Sequence, residues 1–474
     1  MTRGPRNAAR PVSRRPVSGR SSRSARASGQ GVSSPTRTLF GTDGIRGRVG
    51  DKLTAELALA IGRAGTESLR HARGIERPRV LIIRDTRESG PMLEAALAAG
   101  ITEAGGDVYL GGILPTPAAA LISGHHGFDL AAVVSASHNP FHDNGIKLFG
   151  GDGGKLDDAT EAGVEALIHE PPEPAGDPGR IRELSGADQD YLRALESYFR
   201  LDLTGLKVVL DCANGATYRV AGEIFTRLGA EVDLLAIEPD GRNINDGCGS
   251  TDLSLLSERV ASTGATLGFA FDGDGDRVLA VDGGGTPFDG DEIIALVAAA
   301  RAAAGNLGGG VAVTVMSNYG FHQAMKEAGV EVEVTYVGDR YVLEALREKN
   351  WVLGGEQSGH IISTDYAPTG DGIAAALMLL QALDGRELAD ARVMEKLPQV
   401  LVNVEVADRE AIAGAEPVWT EVDRLNAELE GKGRVLLRPS GTEPLVRVMA
   451  EAPSQEQAQE ICDSLAGLVR SELG

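Results

Sequence analysis

Residues 133–147 read VVSASHNPFHDNGIK, and the chain is organised around them. The apolar run Leu130–Val134 reads as a buried strand. It gives way to small and polar residues and then to Asn139-Pro140, a turn signal. Ser137 therefore stands on a tight turn at a strand end, with His138, Asn139, His142, Asp143 and Lys147 nearby in sequence. A hydroxyl at a strand terminus is where open α/β sheets place their chemistry. Taken alone, the stretch reads equally as an ordinary strand-to-loop junction whose serine satisfies local backbone groups. The rest of the chain favours the first reading.

Upstream, 80–83 is another strand, and 91–103 carries Leu93, Leu97 and Ile101 at helical spacing. Val108 and Leu110 begin the next strand. This is a strand–helix–strand unit with a parallel or mixed sheet. A proline-rich linker at 171–174 closes a first domain, 38–175. The alternation recurs in 188–288, with strands at 207–210, 232–235 and 266–271 and a helix at 221–228. It recurs again in 289–398, with helices at 292–304, 341–349 and 373–383 and strands at 311–316 and 332–336. From 399 to 474 the order changes to strand, helix, strand, strand, helix, a smaller α+β domain. The expected fold class is thus α/β: three related mixed α/β domains followed by a smaller α+β C-terminal domain.

A chain of 474 residues is too long for one core, and three or four domains are expected at roughly 150 residues each. The net charge of −22 is unevenly spread. Residues 1–38 hold nine Arg and no Lys, Asp or Glu, which leaves 37 basic against 68 acidic residues in the body. A body at −31 repels nucleic acid and anionic membranes, so a phosphate-bearing ligand needs a local basic pocket. Segment 1–37 lacks periodic hydrophobics and reads as a disordered basic extension. It reads equally as a transit peptide or as a mis-assigned start. Cys212, Cys248 and Cys462 form no CxxC pair, which fits a reducing compartment rather than a disulfide framework or zinc site. No apolar run reaches membrane-spanning length; the longest, from Ile293, meets Arg301 too soon.

Four stretches carry chemistry. In FDGDGDR at 271–277, residues two apart share a face, so Asp272, Asp274 and Asp276 can converge on one object. Three packed carboxylates repel unless a hard divalent ion, Mg²⁺ above all, neutralises them. An EF-hand loop would need Gly at its sixth position and Glu at its twelfth, where this chain has Arg277 and Gly283. The alternative is an acidic surface turn. In RPSGTEP at 438–444, Ser440, Gly441 and Thr442 offer N–H groups and hydroxyls, and Arg438 and Arg447 add forked donors that match phosphate oxygens. The alternative there is a plain turn between strands. GEQSGH at 355–360 sets Glu356 and Ser358 two apart, suited to a pair of sugar hydroxyls, and FGTDGIRG at 40–47 sets Arg46 beside a glycine loop. Both signals are weak alone. No Walker A pattern occurs, so the parts describe phosphoryl transfer without a nucleotide.

With these residues in view, residues 38–474 resemble the α-D-phosphohexomutases. The markers are FGTDGIRGRVG at 40–50, SASHNP at 135–140, DCANGAT at 211–217, FDGDGDR, VGDRYVLE at 337–344, GEQSGH and RPSGTEPLVRVM at 438–449. FGTDGIRG and SASHNP resemble the branch acting on glucosamine phosphates rather than the phosphomannomutase/phosphoglucomutase branch. The resemblance implies four domains around a central cleft and interconversion of glucosamine 6-phosphate and glucosamine 1-phosphate, toward UDP-N-acetylglucosamine. It implies a phosphorylated Ser137, with Ser137, Asp272, Asp274 and Asp276 as Mg²⁺ ligands. Arg46 and Lys147 would assist proton transfer and stabilise charge, with His138 and Arg277 around them. Glu356 and Ser358 would read sugar hydroxyls, and Arg438, Ser440, Gly441, Thr442 and Arg447 would hold the distal phosphate. A glucose or glucosamine 1,6-bisphosphate would prime the serine. The implied partners are a small sugar phosphate and a second copy of the chain, with no nucleic acid or membrane, in the cytoplasm. The alternatives are a mutase for another hexose phosphate, a metal-dependent sugar phosphatase, and a non-catalytic sugar-phosphate sensor.

Overall fold

Each of the first three sheets delivers a loop from the end of a buried strand, and those loops build the site. The computed structural model describes residues 38–41, 43–170, 177–440 and 444–474. Segment 1–37, the linker at 171–174, Gly441 and Thr442 lie outside the described residues. The first sheet runs Ile45–Arg48, Asp143–Gly150, Leu130–Val134, Arg79–Arg84, Asp107–Ile113, Ile181–Glu183. The last four strands are parallel, while Asp143–Gly150 is antiparallel to both of its neighbours. Because Ile181–Glu183 joins this sheet, the first domain reaches past 175, across its linker.

Helix Ala55–Arg73 shows why local sequence becomes this structure. Thr54 caps its start by accepting the Leu57 N–H, and Gly74 ends it in the left-handed region. It crosses helix Gly90–Glu103 so closely that a Cβ on Gly100 would lie 2.0 Å from the Leu59 carbonyl oxygen. Ile61, Leu97 and Ile101 fill the layer between these helices and the sheet.

In the second sheet the order is Pro287–Phe288, Val278–Asp282, Leu267–Phe271, Lys207–Asp211, Glu231–Leu235. The third runs Glu331–Thr335, Gly310–Thr314, Leu353–Gly355, Ile361–Ser363; its last two strands form a hairpin with the tip at 356–360. The fourth domain has an antiparallel sheet, Gln399–Glu405, Leu445–Glu451, Arg434–Pro439, backed by helices Glu416–Glu428 and Gln455–Leu473.

One apolar core runs through the first three domains, including Ile83, Phe149, Phe225, Phe269, Ile294 and Phe321. Helix Gly372–Leu383 is apolar nearly all round and is buried within it. The fourth domain has a separate core around Val418, Val446 and Leu465. Polar contacts join it to the third: buried Glu451, paired within the fourth domain with Arg434 Nε at 2.8 Å, accepts the Tyr319 N–H at 2.8 Å, and Arg434 Nη2 donates to the Ser317 carbonyl. Among the described residues no helix is long and apolar enough to cross a membrane.

Candidate active site

Ser137 follows strand Leu130–Val134 with φ +54°, a left-handed conformation that costs a non-glycine residue energy unless its surroundings enforce it. That twist turns Oγ toward the second domain, where it donates to Asp272 Oδ2 at 2.5 Å. His138 Nδ1 stands 3.3 Å from the same Oγ. The close approach needs glycine on the facing loop: a Cβ on Gly273 would lie 2.5 Å from the Ser137 carbonyl oxygen.

The facing loop joins the antiparallel strands Leu267–Phe271 and Val278–Asp282. Asp272, Asp274 and Asp276 are all buried, with ligand atoms within 4.8 Å of one another. Burial, then Asp276 and Asp274, push the Asp272 carboxyl well above the usual carboxylate range. Asp274 Oδ1 and Asp276 Oδ1 are buried without a hydrogen-bond partner. Oxygen donors left bare among like charges fit a hard divalent cation such as Mg²⁺. A second cluster with donor atoms that close, His125, His126 and Asp190, is already joined by a 2.7 Å His126–Asp190 hydrogen bond and an Arg193–Asp190 ion pair.

Lys147 and Arg46 reach this centre because strand Asp143–Gly150 lies between Leu130–Val134 and Ile45–Arg48. Lys147, buried, lies 2.8 Å from Asp274 Oδ2, 3.1 Å from Asp43 Oδ2 and 3.5 Å from Asp276 Oδ2. Burial alone would lower its pKa, but these three carboxylates outweigh it and hold the ammonium charged. Arg46 pairs with Asp43 and donates Nη1 to the Ala136 carbonyl at 3.3 Å, against the serine loop. Burial, reinforced by Arg277 and Arg46, pushes the His138 imidazole down to about 4, so the ring is neutral at physiological pH. Arg277 Nε stands 3.8 Å from Asp276 Oδ1.

Glu356 and Ser358 lie on the tip of the third domain's hairpin, half-buried and exposed respectively. Glu356 Oε1 accepts the Gly338 N–H at 3.1 Å. Arg438 and Arg447 are directly opposed on adjacent antiparallel strands of the fourth domain, beside buried Ser440. Burial and the neighbouring Arg447 lower the Arg438 pKa, the mark of a concentrated positive charge suited to an anion. These residues stand on the fourth domain's own core, separate from the serine centre.

Two members of the centre, Thr116 and Lys155, lie in none of the motifs. Thr116, at a helix start, donates Oγ1 to Asp274 Oδ2 at 2.6 Å. A charged chain continues from Asp43 through Lys155 to Asp339, and His360 lies 3.7 Å from Asp339 and 3.6 Å from Asp276. It joins residues of FGTDGIRG, VGDRYVLE, GEQSGH and FDGDGDR, so the motifs that look independent along the chain meet at one place.

Four family models match in order: phosphoglucomutase/phosphomannomutase alpha/beta/alpha domain I over 37–174, domain II over 189–285, domain III over 289–400 and the C-terminal domain over 401–468. A phosphoglucosamine mutase of Moorella thermoacetica is 50% identical over 445 residues, covering 92% of this chain and 99% of that protein. One from Paenarthrobacter aurescens is 49% identical over 444 residues, covering 92% and 98%. Among solved structures, a phosphoglucomutase/phosphomannomutase family protein from Burkholderia thailandensis superposes with a TM-score of 0.77 at 28% identity, over 92% of this chain and 97% of that one. Matched in all four domains and sharing half its residues with phosphoglucosamine mutases over nine-tenths of its length, the chain belongs to the phosphoglucomutase/phosphomannomutase family.

Proposed function

We propose that the protein is a phosphoglucosamine mutase, an isomerase that interconverts glucosamine 6-phosphate and glucosamine 1-phosphate through a phosphoserine at Ser137 and a 1,6-bisphosphate. The observation that carries this reading is Ser137 Oγ, 2.5 Å from Asp272, at the rim of a buried three-carboxylate ring. The near-full-length identity to phosphoglucosamine mutases supports the choice of sugar.

Asp272, Asp274 and Asp276, with phosphorylated Ser137, would hold Mg²⁺, which when bound supplies Lewis-acid stabilisation of phosphoryl charge. The protein's own groups do the rest. In the forward step the Ser137 Oγ–P bond breaks while the sugar hydroxyl oxygen forms its bond to phosphorus; the sugar hydroxyl gives up its proton and Ser137 Oγ takes one up. In the return step the bond between phosphorus and the oxygen at the other end of the sugar breaks, that oxygen takes up a proton, and Ser137 Oγ gives up its proton as it forms its bond to phosphorus. Two acceptors lie within reach of that hydroxyl, Asp272 Oδ2 at 2.5 Å and neutral His138 Nδ1 at 3.3 Å. Lys147 and Arg46 lend positive charge beside the transferring group, and phosphoryl transfer depends on such positioning and neutralisation. Glu356 and Ser358 would hold sugar hydroxyls, Arg277 would face the acids, and Arg438, Ser440, Gly441, Thr442 and Arg447 would hold the phosphate that is not reacting. The 1,6-bisphosphate turns over between the half-reactions, so each end of the sugar visits Ser137. Glucose or glucosamine 1,6-bisphosphate would prime the free serine. The proposal includes a cytoplasmic location and a homodimer.

The test is phosphorus NMR of the protein with Mg²⁺, a trace of glucose 1,6-bisphosphate and, separately, the 6-phosphates of glucosamine, glucose and mannose. Rapid appearance of glucosamine 1-phosphate, lost in Ser137→Ala, is the expected result. A preference for glucose or mannose would reassign the sugar. Release of inorganic phosphate alone would make the protein a phosphatase.

A further inference from the structure

Ser137 holds its left-handed conformation inside a buried hydrogen-bonded ring centred on Arg87. Arg87 sits between strand Arg79–Arg84 and helix Gly90–Glu103, about fifty residues before the serine, and is 0% exposed. Its guanidinium has five N–H donors, and the structure gives all five an acceptor. Nη2 donates to the carbonyls of Ser137 at 2.9 Å and Asn139 at 2.8 Å. Nη1 donates to the Asp143 carbonyl at 3.0 Å and to that of Pro140. Nε donates to Asp85 Oδ2 at 2.8 Å. The same Asp85 oxygen accepts Ser135 Oγ at 2.6 Å, and Ser135 Oγ in turn accepts the Ser137 N–H at 2.9 Å. The ring thus closes on both ends of the serine: its N–H through Ser135 and Asp85, its carbonyl through Arg87. From the second domain, Asn245 Nδ2 donates to the same carbonyl at 3.0 Å.

A buried Arg–Asp pair can exist for stability alone, but this one is spent on a single loop. Four of the five donors grip carbonyls of 137–143, the turn that carries the nucleophile. Only a planar fork does this; lysine has three donors and no fork.

We propose that Arg87 and Asp85, acting through Ser135, are positioning residues for the phosphoryl transfer: they hold Ser137 in the strained turn that aims Oγ at Asp272 and keep it there while the phosphate arrives and leaves. This inference rests on the reading of Ser137 as the phosphorylated residue.

The experiment uses Arg87→Lys, which keeps the charge, and Ser135→Ala, which removes one hydroxyl and leaves the Arg87–Asp85 pair intact. Each variant, with Mg²⁺, is mixed with glucose 1,6-bisphosphate, and phosphorylation of the protein is followed by quenched-flow intact-mass measurement. Turnover of glucosamine 6-phosphate is measured alongside. A misaimed serine lowers the rate of phosphorylation while its amplitude stays full; a partly unfolded sample lowers the amplitude and leaves the rate alone. We expect the rate and kcat to fall together by roughly 10- to 100-fold, the cost of an ångström-scale misplacement, with KM within twofold of wild type. Rates within twofold of wild type in both variants, or a loss of amplitude alone, would overturn the proposal. Wild-type protein that takes no phosphate on Ser137 would overturn the underlying reading as well, so the two failures are distinct.

Discussion

Replacing Lys147 with methionine removes the buried cation on which three carboxylates converge, and its consequence should depend on Mg²⁺. The ammonium lies 2.8, 3.1 and 3.5 Å from Asp274, Asp43 and Asp276. With the side chain 1% exposed, little solvent screening operates. At the effective dielectric of such sites a single pair 4 Å apart gains about 4 kcal/mol before desolvation is charged against it. Removing one partner of a buried pair costs about 3–5 kcal/mol net, because the other charges stay buried. Lys147→Met should therefore lose about 3–5 kcal/mol in Mg²⁺-free buffer at pH 7.5. The sign with pH follows from the raised lysine pKa. Its stabilisation is fully present below the ordinary lysine value of about 10.4 and is lost only as pH climbs through the folded value, so the deficit is flat across neutral pH. A divalent ion held by the carboxylate ring would replace part of the missing charge. Mg²⁺ at about a hundred times its Kd stabilises a native state by about 2.7 kcal/mol, and the variant, with less competing positive charge, should gain more than wild type. Guanidinium denaturation with EDTA and with saturating Mg²⁺ measures both quantities. A deficit under about 1 kcal/mol without Mg²⁺, well short of the loss of a buried partner, would refute the reasoning. A deficit that Mg²⁺ leaves unchanged would show that ion and lysine do not share the same carboxylates.

Three further outcomes follow from the same geometry. Gly273→Ala places a Cβ 2.5 Å from the Ser137 carbonyl oxygen and 2.7 Å from Asn245 Nδ2, so the loops must part; intact-mass kinetics should show Ser137 phosphorylation slowed by roughly 100-fold. His138, pushed down to about 4 by burial and by Arg277 and Arg46, is neutral when folded, whereas the unfolded chain takes up a proton below about 6.5. The folded state thus loses stability as pH falls from about 6.5 toward 4, and denaturation at pH 7.5 and 5 should show wild type losing more than His138→Asn. Arg434→Ala leaves Glu451 buried beside the Tyr319 N–H without its cation, at a cost of about 3–5 kcal/mol. Because the fourth domain has its own core, calorimetry should then show it melting as an early, separate transition.

The three carboxylates were legible in the sequence because their geometry is local. Alternate residues of one short turn share a face whatever the rest of the chain does, and the glycines between them let the turn close. The serine was legible for a similar reason: an apolar run ending in small residues and Asn-Pro describes a strand end and its turn. The fourth domain was legible as a change in element order, and the structure gives it a separate core. Strands Leu353–Gly355 and Ile361–Ser363 were not; three residues each are too short for any periodicity, and only their pairing defines them. The linker read as the end of the first domain conceals a return, since Ile181–Glu183 completes the first sheet.

Local pattern alone determined the alternating α/β class of the first three domains, the convergence of three acids in one turn and the residue types able to carry phosphate. The tertiary structure decided which charges neutralise which. Arg87 clamps a loop some fifty residues away, Lys147 meets Asp274 across 127 positions, and Asp43 reaches Asp339 through Lys155. No periodicity encodes such pairs, because a buried charge is satisfied by whatever the packed sheets bring within about 4 Å, and that depends on the whole fold.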